Sequence, residues 1–307
     1  MDLICNEQAE NENQAYDDKN LLQDRVLKRL LKDEDRYCIQ YSNNFRSIQT
    51  EVTVDMRKTV AEWMMEVCEE QKCQDEVFNL AMNYMDRFLM CCRIKKNQLQ
   101  LLGTACMLIA SKLREPRPLS GEMLVYYTDH SVTKEQLWSW ELLVLKTLKW
   151  DISAVTPQAF LKHILSRLAV EEVGVSLEMV ISHAKTLVTL CAREFEFSMY
   201  HPSIIACASI SSALCGVGWL GKSQNTLETL LDHLYRITSI EKDYIQECLR
   251  KIDDMVRSSA RQFYQSQNKD LLESEETFRP NEFTPPPSKI EEHSATLTPT
   301  DVQNVHF

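Results

Sequence analysis

Glycine and proline are scarce in this chain, with six and nine among 307 residues. Hairpins and tight turns draw on both, so their scarcity argues against an all-β fold and for long helices joined by short loops. Positive charge is also short: 34 basic residues stand against 45 acidic ones, a formal net charge of −11. Phosphate backbones are gripped by basic surfaces, so no nucleic-acid partner is expected. No apolar run reaches the roughly 20 residues needed to span a membrane. Residues 101–113 are too few, and residues 204–220 are interrupted by serines and glycines. Both suit helices buried on all sides, and no membrane partner is expected.

Catalytic signatures are missing as well. There is no HExxH and no GxSxG, and the seven histidines are scattered. The eleven cysteines include no CxxC, so neither a metal site nor a cofactor is expected. The first dozen residues have no basic start and no apolar core, which argues against a secretory signal. Free thiols in a reducing compartment follow from that reading.

What is present is helical periodicity. After a polar arm, Leu21, Leu22, Val26, Leu30 and Leu31 form an apolar stripe. A second helix opens near Asp55 as its expected N-cap and places Met56, Val60, Trp63, Met64 and Val67 on one face, and spacing alone would turn Met56, Val60 and Trp63 towards a core. Further helices are predicted from Gln74, over 99–113, from Ser120 and over 133–148, a set of five. Thr156-Pro157 restarts the pattern as cap and first-turn proline. Helical stretches follow at about 157–168, 175–196, 202–215, 224–237 and 241–265. In each set the third helix is the most apolar, which predicts an all-α protein of two five-helix domains, each with a buried central helix, plus flexible termini. The domain boundaries expected are an arm at 1–19, folds at 20–152 and 153–266, and a tail at 267–307. That tail carries three basic and eight acidic residues and the run Pro285-Pro286-Pro287, a composition that predicts disorder.

One motif match conflicts with its context. Gly216-Val217-Gly218-Trp219-Leu220-Gly221-Lys222-Ser223 fits GxxxxGK[ST], the phosphate-cradling loop. Such a loop follows a β-strand, whereas residues 203–214 are rich in alanine and serine without β-branched alternation. A loop between helices is the expectation. Two charges are also out of place. Glu141 interrupts the stripe of Leu137, Trp138, Val144 and Leu145, and burying a lone carboxylate is costly without a partner. Its partner could lie within the chain or across an interface. Lys112 ends the apolar third helix, where spacing alone makes it a cation at a helix C-terminus.

Several segments together resemble the cyclin box. They are Met56-Arg57-Lys58-Thr59-Val60-Ala61-Glu62-Trp63, Glu66-Val67-Cys68-Glu69-Glu70, Asn83-Tyr84-Met85-Asp86-Arg87-Phe88-Leu89, Leu99-Gln100-Leu101-Leu102-Gly103, Ala110-Ser111-Lys112 and Leu148-Lys149-Trp150. Residues 66–73 and 80–89 look most like D-type cyclins, and the likeness runs in order from about residue 20 to 265. The resemblance implies tandem cyclin folds and a non-catalytic subunit that binds and activates a cyclin-dependent kinase at G1/S. In cyclins, residues matching Lys112 and Glu141 contact the kinase near its mobile regulatory helix. Arg57 and Asp86 would be a structural ion pair. Met56, Val60, Trp63, Glu66, Leu99 and Gln100 match the patch that docks substrates and kinase inhibitor proteins. Thr59 departs from the family, which usually has an apolar residue there.

The ends extend the likeness. Leu3-Ile4-Cys5-Asn6-Glu7 is an LxCxE, whose Leu3, Cys5 and Glu7 would engage a retinoblastoma-family pocket protein as an extended segment. Thr298, before Pro299, resembles the D-type phosphorylation signal for nuclear export and degradation, implying a ubiquitin ligase as partner and residence in both nucleus and cytoplasm.

Overall fold

The computed structural model describes residues 22–38, 44–168, 170, 174–223 and 226–276, and every regular element among them is a helix. α1 (Asp24–Asp33) leads through a 3-10 turn at Glu34–Arg36 to the short α2 (Asn44–Ile48). The first fold comprises α3 (Val54–Glu70), α4 (Asp75–Leu89), α5 (Leu99–Arg114), α6 (Gly121–Tyr127) and α7 (Lys134–Thr147). The second comprises α8 (Pro157–Leu165), α9 (Leu177–Arg193), α10 (Pro202–Gly216), a short α11 (Trp219–Ser223), α12 (Leu227–Thr238) and α13 (Lys242–Glu276).

Side-chain caps set many of the starts. Thr53, not Asp55, caps α3 by accepting the Met56 N–H at 3.2 Å. Ser120 and Ser176 do the same for α6 and α9. Thr133 and Gln136 form a reciprocal capping box on α7. Pro157 and Pro202 occupy first-turn positions of α8 and α10, where a missing N–H costs nothing.

Each fold has the buried centre expected of it. From Leu99 to Ser111, α5 buries every residue except Gln100, and it touches α3, α4, α6 and α7. α10 is likewise buried over most of its length and touches α8, α9, α11 and α12. The Ser212 hydroxyl joins it to Asp253 of α13 at 3.2 Å. Small residues make this centring physically workable. A Cβ on Gly103 would come within 2.9 Å of the Met64 sulfur and 3.0 Å of a Val60 methyl, so glycine permits the close approach of α3 to α5.

Polar joints also tie the flanking segments to the folds. The buried Glu34 carboxylate accepts the Ser203 N–H at 2.8 Å and its hydroxyl at 2.7 Å, at the start of α10. Burial raises the Glu34 carboxyl above its ordinary value, opposed by those two hydrogen bonds. Tyr84 donates to the Ile152 carbonyl at 2.6 Å. The compact unit ends at Arg257, yet α13 continues to Glu276, past residue 266 where the sequence reading closes the second fold.

A single glutamine secures the loop between α4 and α5. Buried Gln49 donates to the carbonyls of Leu89 and Cys92 at 2.6 and 2.7 Å and accepts the Ile94 N–H at 3.2 Å. Gln49→Leu fills the same space but strips partners from three main-chain groups. Each unsatisfied buried group costs about 1–3 kcal/mol, so a stability loss of roughly 2 kcal/mol or more is expected in urea titration. A loss below 0.5 kcal/mol, on the order of an ordinary surface change, would show that water replaces the amide.

Candidate functional site

The ion-pair, docking-patch and kinase-contact residues singled out by sequence fall into three places on the first fold. Arg57 and Asp86 lie in its interior, with side chains 1% and 4% exposed. Arg57 Nε donates to Asp86 Oδ1 at 2.9 Å and Nη2 to Oδ2 at 2.7 Å, a two-pronged pair between α3 and α4. The same guanidinium reaches the C-terminal end of α9, donating to the Ala192 carbonyl at 2.9 Å and to the Arg193 carbonyl. A cation is favoured there because the last carbonyls of a helix lack intrahelical partners. Phe195 adds its ring face, 5.9 Å from the guanidinium carbon.

Burial of Arg57 rotates the inward face of α3 away from Met56, while Met64 and Val67 of the expected stripe stay inside and Val60 and Trp63 pack against the core from its edge. Its core-facing residues are Arg57, Ala61, Met64, Val67 and Cys68. Met56 is therefore exposed, and Val60 and Trp63 are half-buried rather than core residues. The Trp63 indole donates to the Tyr127 carbonyl at 3.3 Å. Across the Gly103 approach stands the first turn of α5, with Leu99 buried and Gln100 half-buried, while Glu66 is exposed further along α3. Thr59 is exposed, and its hydroxyl turns back to the Asp55 carbonyl at 3.1 Å.

Lys112 and Glu141 come together at the other side of α5. Lys112 Nζ lies 2.5 Å from Glu141 Oε1, with the lysine side chain 50% exposed and the glutamate 15%. Of the alternatives open for Glu141, the isolated chain has the internal partner. Around this pair, Leu113, Trp138, Leu142 and Leu143 are exposed, and Trp150 beyond α7 is 63% exposed. Sequence reasoning missed Leu113, Leu142 and Leu143, and it read Trp138 as part of an apolar stripe rather than as an exposed residue. The available signal was Trp138-Ser139-Trp140-Glu141-Leu142-Leu143-Val144-Leu145, which is apolar on more than one helical face although the helix is not central.

The remaining sequence features resolve simply. Gly216–Ser223 is the end of α10, a turn with Gly218 at φ +72°, and α11, so a helix stands where a phosphate loop needs a strand. Among the described residues no cluster of three His, Cys, Asp or Glu side chains could hold a metal ion. Within the same set, no helix is long and apolar enough to cross a membrane. Leu3, Cys5, Glu7 and Thr298 lie outside the described residues.

A tandem helical fold with an exposed apolar face around a charge pair is that of a binding subunit. Comparison with known proteins gives the class its name. The cyclin N-terminal domain matches residues 25–153 and the cyclin C-terminal domain residues 155–279. The chain belongs to the cyclin family, whose members are non-catalytic regulatory subunits that activate kinases. Within the family its relatives are D-type. It is 43% identical to G1/S-specific cyclin-D2 of Mus musculus over 99% of both chains, and 44% identical to G1/S-specific cyclin-D3 of Homo sapiens over the full length of both. Among solved structures, a viral cyclin from herpesvirus saimiri superposes with a TM-score of 0.65 at 26% identity, covering 76% of this chain and 97% of that one.

Proposed function

We propose that this chain binds and activates a cyclin-dependent kinase and directs it to retinoblastoma-family proteins, promoting passage from G1 to S. The exposed apolar face of α7 and the end of α5, centred on Lys112 and Glu141, carries this reading. Relatives of 40–44% identity named G1/S-specific cyclins place it in that phase. Docking on this face would hold the kinase's mobile helix inward, so that its glutamate pairs with the ATP-binding lysine that phosphoryl transfer requires. The chain then acts by shifting its partner between two states, with no chemistry of its own.

Leu3, Cys5 and Glu7 would bring the pocket protein to the assembled kinase. The outer face of α3 would receive short basic-apolar motifs of substrates and inhibitors. Thr298 would supply the phosphorylated signal for export from the nucleus and for a ubiquitin ligase. Affinity purification from cells followed by a kinase assay on a pocket-protein tail tests the proposal. Co-purified kinase activity is the expected result, and wild-type chain that brings down no kinase overturns it.

Thr59 gives the α3 patch its own prediction. An isoleucine there supplies apolar surface where the hydroxyl now turns back to its own helix. One or two methyl-sized groups buried against a docking peptide contribute about 1 kcal/mol, so Thr59→Ile should tighten peptide binding roughly fivefold. Fluorescence anisotropy with a labelled basic-apolar peptide measures this. Equal affinities would place the docked peptide away from Thr59.

A further inference from the structure

The turn that ends α3 holds a pair of cysteines that kinase binding does not use. Lys72 adopts a left-handed conformation at φ +52°. Around it the Cys73 N–H donates to the Cys68 carbonyl at 2.9 Å, and the Lys72 N–H donates to the Glu69 carbonyl at 3.1 Å. These two bonds define a Schellman cap, in which the third residue from the helix end ordinarily meets the third residue beyond it, side chain to side chain. That contact is ordinarily filled by two apolar residues. Here both positions are cysteine, both side chains line one cleft, and each thiol shifts the acidity of the other.

The pair is asymmetric in a way that suits exchange chemistry. Cys68 is buried, and the Cys73 thiol together with burial pushes its own thiol well up. Cys73 is half-buried, and the Cys68 thiol holds its own thiol below the ordinary value against the opposing effects of burial and Glu115. Its position just before the N-terminus of α4 also favours a thiolate. Every other thiol shifted among the described cysteines is pushed up, chiefly by burial. Cys68 and Cys73 line a cleft shared with Lys72, Asp75 and Lys185, through which a small oxidant can enter.

We propose that Cys68 and Cys73 form a reversible dithiol–disulfide site that is oxidised by peroxide. The Cys73 thiolate attacks one peroxide oxygen, the O–O bond breaks, and the departing hydroxide takes up a proton to leave as water. Cys73 is then a sulfenic acid. The Cys68 sulfur attacks the Cys73 sulfur, the S–O bond breaks, and the second hydroxide leaves as water with the Cys68 proton. Two thiols lose two electrons and one peroxide becomes two waters; a dithiol reductant reverses the change. The cap brings the Cys73 main chain back onto that of Cys68 at the end of α3, so closing the bond calls on side-chain rotation rather than on unwinding the helix.

Tryptic mapping of the full-length chain tests the site, because cleavage after Lys72 separates the two cysteines. The reduced protein is treated with hydrogen peroxide, its remaining thiols are alkylated, and it is digested without reductant. The expected product is peptide 59–72 joined to peptide 73–87, two hydrogens lighter than their sum and separated by dithiothreitol. In Cys68→Ser the resolving thiol is gone, and Cys73 should accumulate as a sulfenic acid captured by dimedone. The proposal fails if wild-type Cys73 stays reduced, if it pairs mainly with another cysteine, or if the dimedone adduct of Cys68→Ser falls elsewhere.

Discussion

Arg57→Ala is expected to lower unfolding free energy by about 3–5 kcal/mol, the range for removing one partner of a buried ion pair. The reason is the number of groups orphaned at once. Asp86 keeps a buried charge with both oxygens stripped of their arginine donors, and the carbonyls of Ala192 and Arg193 lose theirs. Asp86 is 4% exposed on its side chain, so water cannot readily compensate. Arg57→Lys should recover only part of the loss, because an ammonium lacks the planar fork that reaches a carboxylate and a helix end together. Replacing both charges with apolar residues, Arg57→Met with Asp86→Leu, removes the buried charge yet still leaves two α9 carbonyls unpaired. Its stability should therefore fall between wild type and Arg57→Ala. Urea titrations at unchanged slope measure all three variants. An Arg57→Ala loss below 1 kcal/mol would mean that the joint between α3, α4 and α9 is not held by this side chain.

Arg57 also explains why part of the inward face of α3 was misread. Periodicity counts Met56, Val60 and Trp63 as inward and arginine as outward, because charged side chains are rarely buried unless paired. Nothing in the local spacing reveals that the pair sits on another helix, 29 residues away in sequence. The resemblance to cyclins supplied that pairing. By contrast, the central helices were legible directly, since α5 and α10 are apolar all round and need burial on every side. The end of α13 was hidden for a different reason. Loss of aliphatic residues signals loss of a core, but the helix from 267 to Glu276 is rich in Gln, Lys, Leu and Glu, which favour helix without one. The exposed face around Glu141 was half legible. The odd carboxylate was visible, whereas the exposure of Trp138, Leu142 and Leu143 depends on which side of α7 meets α5.

Lys112→Glu is expected to abolish kinase recovery while leaving the helical signal intact. In the isolated chain the Lys112–Glu141 pair is half open to water on the lysine side, and exposed pairs contribute only about 0–1 kcal/mol. Reversing the charge therefore costs the fold little. In the proposed complex the same site is covered by the partner, and two adjacent carboxylates would be desolvated without a cation. That penalty reaches roughly 3–5 kcal/mol, a loss of at least a hundredfold in affinity. The exposed Leu113, Trp138, Leu142 and Leu143 contribute roughly 1 kcal/mol each when covered, but they do so in wild type and variant alike, so the loss from the reversed charge stands undiminished. The exchange Lys112→Glu with Glu141→Lys separates the two roles of the pair. It restores opposite charges within the chain, and thermal stability should return to near wild type. Kinase recovery should stay absent, because each residue would then face the wrong group on the partner. If the exchanged chain recovers kinase fully, the pair serves only to join α5 to α7, and the face that meets the kinase lies elsewhere.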